Sequence, residues 1–135
     1  MKIYELHNIQ QTHAAGGQRW HEFLRVPDLS MGLYVLPAGD TDPQQPHTED
    51  EVYYVINGRG QIMVDGEDQL VQSGSIVYVA KGVDHRFHSI EEALQILVFL
   101  PQPRDRHPRF AATSQRGSNR GILSLKVIVT HPFME

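Results

Sequence analysis

The chain has 135 residues, room for one domain with its own core. It has no cysteine, which excludes disulfides and thiolate metal sites and leaves His, carboxylate or amide oxygen for any transition metal. A formal net charge of -4 argues against a nucleic-acid partner, and no apolar run approaches the roughly 20 residues that span a membrane.

Residues 1–7 lack the apolar stretch of a signal peptide, so the expected location is cytoplasmic, with no membrane partner. Helical periodicity is scarce along the chain. Segments rich in Val, Ile, Leu, Tyr and Phe read as strands at 20–26, 31–36, 51–56, 61–64, 69–71, 76–79, 85–90 and 94–100. The first carries Trp20, His21 and Phe23 and is placed to close over one end. Arg19 and Arg25 beside it are candidates to meet an anionic substrate, although an exposed Arg is more often only solvated.

Turn punctuation separates the strands: Pro37-Ala38-Gly39-Asp40, Asn57-Gly58-Arg59-Gly60, Asp65-Gly66-Glu67-Asp68, Ser73-Gly74 and Lys81-Gly82. Asn57-Gly58 and Asp65-Gly66 are hairpin signals. About eight short strands at regular spacing predict an all-β sandwich or barrel. Beyond Phe99 the composition changes. Residues 101–135 read as a C-terminal arm, proline-interrupted and basic at first (Pro101, Pro103, Arg104, Arg106, Pro108, Arg109). The stretch at 122–130 looks like an added edge strand, for this barrel or for a second subunit.

Two stretches carry chemistry. In the first, Gln45, His47, Glu49 and Glu51 share one face of a regular strand. An imidazole, carboxylates and an amide oxygen suit Fe, Mn, Ni, Co or Zn, and a solvated strand face is the plain alternative. In the second, Gly74 to Ser89, a strand ends, Gly82 permits a turn and His85 begins the next strand. Together they resemble the paired motifs of the cupin superfamily. The first family motif runs Gly, five residues, His, one, His, three or four, Glu, six, Gly, and here the positions are Gly39, Gln45, His47, Glu51 and Gly58. The second runs Gly, five, Pro, one, Gly, two, His, three, Asn, and here they are Gly74, Ala80, Gly82, His85 and Ser89. The spacing holds at every step. Three identities depart: Gln45 replaces a His, Ala80 a Pro and Ser89 an Asn.

The resemblance spans roughly residues 31–99. It implies a double-stranded β-helix (jelly-roll) barrel over residues 1–100, with short irregular arms. It also implies one divalent metal ion (Zn, Mn, Fe or Ni) held by His47, Glu51 and His85. Gln45 is then a fourth ligand through its amide oxygen, or sits back to bond a water. Glu49 competes with Glu51 as the carboxylate, and the spacing to Gly58 favours Glu51. His88, three residues from His85, falls on the opposite strand face. Glu51, as a proton acceptor when displaced, and Tyr53, whose hydroxyl needs a partner when buried, are the candidate catalytic residues, with simple core packing as the alternative for Tyr53 and Phe87. The expected function is a metal-dependent enzyme on a small organic molecule, of dioxygenase, isomerase or lyase type. The alternative is a non-catalytic module that binds a small ligand. A homodimer is the expected assembly.

Overall fold

Six strands and one helix account for the regular structure of the computed structural model, which describes residues 1–43 and 46–102. Gln45 and the predicted edge strand at 122–130 lie outside the described residues.

The first hairpin joins β1 (Trp20–Val26) to β2 (Leu29–Leu36) through Pro27-Asp28, with Val26 opposite Leu29. Proline costs nothing there, because a turn needs no ladder N–H at that position. β3 (Glu51–Val64) turns into β4 (Glu67–Gln72) through Asp65 and Gly66. Both residues have positive φ, 52° and 86°, as a two-residue primed turn requires, so the Asp-Gly hairpin forms where the sequence predicts it. β5 (Ile76–Val79) pairs with the start of β3, and β6 (His85–Pro101) runs along the whole of β3. The sheet order is β1-β2-β6-β3-β4, with β5 on β3, and every pairing is antiparallel.

Six strands replace the eight expected, because two predicted breaks are bends inside long strands. Asn57-Gly58-Arg59-Gly60 is not a hairpin turn. It is the bulged middle of β3, where the register against β6 shifts three times. Each bulge bends a strand and changes which side chains face inward. Before the bend the inward residues of β3 are Glu51, Tyr53 and Val55; after it they are Gly60 and Ile62. Gly58 sits at the bend with φ 102°, and a Cβ there would lie 2.1 Å from the Ala93 carbonyl oxygen. Only glycine allows that approach. β6 makes the matching switch at Ser89, whose φ is 50°. His85 and Phe87 point inward before it, and Ile90, Leu94, Ile96 and Val98 after it. Asn tolerates this left-handed conformation better than most residues, a physical reason for the Asn that Ser89 replaces in the motif.

The folded-over sheet encloses one core with Tyr34, Tyr53, Phe87, Leu94 and Ile96 at its centre. The Tyr53 and Phe87 rings meet edge to face at 5.0 Å. The result is an all-β jelly-roll, as the sequence predicts.

One element was not predicted. α1 (Leu6–Gly16) buries only Ile9 and stops at Gly17, whose N–H donates to the His13 carbonyl at 2.9 Å. A helix with one buried residue leaves no apolar stripe for periodicity to reveal. Among the described residues, no helix is long and apolar enough to cross a membrane.

Candidate metal centre

Three elements deliver three buried ligand-type side chains to one point. His47 lies in the loop before β3, Glu51 is the first residue of β3, and His85 is the first residue of β6. They are 3%, 1% and 1% exposed. One ligand atom from each lies within 4.8 Å of the others. His85 Nε2 is 3.3 Å from Glu51 Oε1, and His47 Nδ1 contacts the same oxygen. The imidazoles meet at right angles, their centroids 5.0 Å apart.

The backbone fixes what His85 presents. Its Nδ1 lies 2.9 Å from the Val83 carbonyl oxygen, an acceptor, so Nδ1 carries the proton. In the neutral ring Nε2 then holds a lone pair, aimed at a carboxylate oxygen. Two acceptors face each other there, and only a proton or a cation reconciles them. Neither Glu51 oxygen completes a hydrogen bond of ordinary geometry among the described residues. Orphaned buried carboxylate oxygens beside two imidazoles fit a divalent ion of borderline hardness.

Burial pushes the Glu51 carboxyl upward, but the close approach and charge of the His47 and His85 imidazoles outweigh it, and Glu51 ends below its ordinary value. For His85, burial acts downward, and Glu51, the Val83 carbonyl and Asp42 outweigh it. Its pKa is raised.

Tyr53 is fully buried, with its ring 6.1 Å from that of His85 and its edge on Phe87. It stands beside the cluster as a wall. Glu49 is half-buried and lines a cleft of about 370 Å³ together with Trp20, Glu22, Arg25 and His47. Among the described residues that lining includes His47 but neither Glu51 nor His85, so the cleft reaches the cluster from the His47 side. His88 points away and bonds Asp68 through Nε2 at 2.7 Å. The two arginines considered for anion binding are engaged within the chain. Arg19 pairs with Asp40 and donates to the Thr41 carbonyl at 3.1 Å; Arg25 clasps Glu22 with two bonds of 2.8 Å.

Sequence reasoning passed over Asp42. It is 4% exposed and bonds the Tyr34 phenol and the Phe87 backbone N–H. Its position directly before Pro43, inside the first motif, was the only available cue.

Residues 32–100 match the family model described as "Cupin domain". An uncharacterized protein of Streptomyces coelicolor is 46% identical over 103 residues, which are 76% of this chain and 98% of that protein. Among solved structures, a cupin-2 domain containing protein from Shewanella frigidimarina aligns with TM-score 0.57 and 22% identity, covering 70% of this chain and 93% of that one. An RmlC-like cupin family protein with a double-stranded β-helix fold from Methanocaldococcus jannaschii aligns with TM-score 0.58 and 20% identity, covering 75% and 90%.

Proposed function

The chain belongs to the cupin family, and from that premise we propose that it binds one divalent metal ion through His47, Glu51 and His85 and acts as a metal-dependent enzyme on a small organic molecule. The observation that carries the reading is the buried convergence of two imidazoles and a carboxylate from three separate elements. Gln45 completes the set as a fourth, neutral oxygen ligand in this proposal. The ion, when bound, would supply Lewis-acid polarisation of a substrate oxygen.

The chain's own groups supply the rest. Val83 holds the His85 tautomer, as partners of metal-ligating histidines generally do. Tyr53 packs beside His85 and Phe87 packs on Tyr53, both fully buried, so that side of His85 is apolar. Glu51 would hold the ion and is also the candidate proton acceptor, at its carboxylate, and Tyr53 is the second catalytic candidate. The reaction class stays at dioxygenase, isomerase or lyase type. The reading places the protein in the cytoplasm as a homodimer. Exposed Ile76 and Tyr78 on β5 support a contact between copies, which sedimentation would measure.

Metal analysis of protein purified without added metal or chelator tests the centre. The wild type should carry about one equivalent of divalent metal per chain. Protein with both His47→Ala and His85→Ala should carry none while remaining folded by circular dichroism. Stoichiometric metal in that double variant would overturn the assignment. Gln45→His should tighten binding if residue 45 is a ligand position, and no change would remove it from the set.

A further inference from the structure

We propose that Asp42 is a positioning residue: it fastens the loop that carries His47 to the strand that carries His85. The proposal rests on the metal reading for its consequence, but not for its geometry.

β6 is paired unevenly. β2 covers it only from Leu94 to Pro101, so the half that begins with His85 has β3 on one side and no strand from β2 on the other. The loop after β2 takes that place. Gly39 N–H donates to the Ile90 carbonyl at 2.9 Å, and Phe87 N–H donates to Asp42 Oδ2 at 2.8 Å. A side chain thus serves as the ladder acceptor two residues from His85, on an inward-facing residue of the same strand.

The other oxygen, Oδ1, accepts from the Tyr34 phenol at 2.6 Å, which ties the loop to β2 as well. Asp42 therefore joins the loop, β2 and β6 at one buried point. Burying a carboxylate is costly until its oxygens are compensated. Strong, charge-assisted bonds at both oxygens offset that cost, and they exist only when the loop is in this place. Pro43 follows directly, and a proline disfavours helical backbone at the residue before it. Beyond it, the loop is tied to the β5–β6 turn. Gly82 N–H donates to the His47 carbonyl at 2.7 Å and Lys81 N–H to Asp50 at 2.9 Å, the latter exposed. Among the described residues, Asp42 is the buried side-chain anchor on the approach to His47.

The experiment pairs Zn²⁺ titration calorimetry with amide hydrogen exchange of the metal-free protein, on Asp42→Ala, Asp42→Asn and the wild type. Asp42→Ala should weaken Zn²⁺ binding by about 10- to 100-fold, the usual loss when a group that orients a ligand is removed. It should also speed exchange across residues 47–50 and at the Lys81 and Gly82 amides that bond to them by about tenfold or more, with β1 and β2 unchanged. Asp42→Asn should recover most of both, because the amide oxygen still accepts from Phe87 and the phenol can turn to accept from the amide. A folded Asp42→Ala protein with wild-type affinity and exchange would overturn the proposal. So would an Asp42→Asn protein as impaired as Asp42→Ala, which would make the charge, not the placement, the active property. If Asp42→Ala fails to fold, Asp42→Leu, similar in shape but with no acceptor for the Phe87 N–H, takes its place, and unchanged affinity and exchange in that variant would likewise overturn it. If the wild type takes up no Zn²⁺, zinc is removed from the metal reading, and the exchange data still decide the anchor.

Discussion

His47 and His85 face the same carboxylate, yet the chain fixes them in opposite ways. His85 is set locally. It opens a strand, and the carbonyl two residues earlier, at Val83, selects its tautomer. His47 is set by distant parts of the chain. Its loop is tied to β6 at Ile90 and Phe87, to β2 at Tyr34 and to the β5–β6 turn at Gly82. A ligand fixed by its own neighbours tolerates distant changes. One fixed across the fold depends on every anchor.

The largest effects should come where the shared support of both regions is removed. Phe87→Ala empties a fully buried ring site beside Tyr53 and should cost about 3–5 kcal/mol of unfolding free energy by chemical denaturation. Gly58→Ala forces a methyl into the Ala93 carbonyl at the bend of β3, and a loss of about 3 kcal/mol or more is expected. A loss under about 1 kcal/mol would mean that the bend moves easily.

The pH dependence of the metal-free protein sharpens the comparison at intermediate size. Glu51 lies below its ordinary value of 4.5, so its share of stability is full above 4.5 and lost as pH falls through the lowered pKa. His85 lies above its ordinary 6.5, so its share is full below 6.5 and lost as pH rises through the raised pKa. The cluster should therefore stabilise the metal-free fold most between pH 4.5 and 6.5, measured as melting temperature against pH. Saturating Zn²⁺ should abolish the alkaline loss, because an ion held by His47, Glu51 and His85 would favour the unprotonated ligands. An alkaline loss that persists with Zn²⁺ present would place its origin elsewhere.

The smallest effects belong to the histidine and carboxylate that lie close in sequence but outside the cluster. His88→Ala and Glu49→Gln should change Zn²⁺ affinity less than about twofold and stability by less than about 0.5 kcal/mol. A large loss with Glu49→Gln would reopen the choice of carboxylate.

Much of the barrel was legible because strand side chains alternate and turns need particular residues. Trp20–Val26 and Ile76–Val79 appear with the bounds read from the sequence, and Asp65-Gly66 turns where its φ preference says it must. Asn57-Gly58 carries the same turn chemistry and does not turn. The pairing of β3 with β6 on both sides of it outweighs the local signal, and the glycine serves close approach instead. α1 was hidden because it rests on the barrel through little more than Ile9 and a Gln10–Gln95 hydrogen bond of 2.6 Å.

By itself, the sequence determined the strand rhythm, the absence of thiolate chemistry and the spacing that singles out His47, Glu51 and His85. These follow from residue type and short-range periodicity. The tertiary structure alone decided that the three side chains meet in a buried cluster, that Arg19 is spent on Asp40, and that Asp42 is buried. Such facts depend on which distant strands lie side by side. A carboxylate reads the same in the sequence whether it faces water or spans two strands, and only the partners that the fold brings to it give it a role.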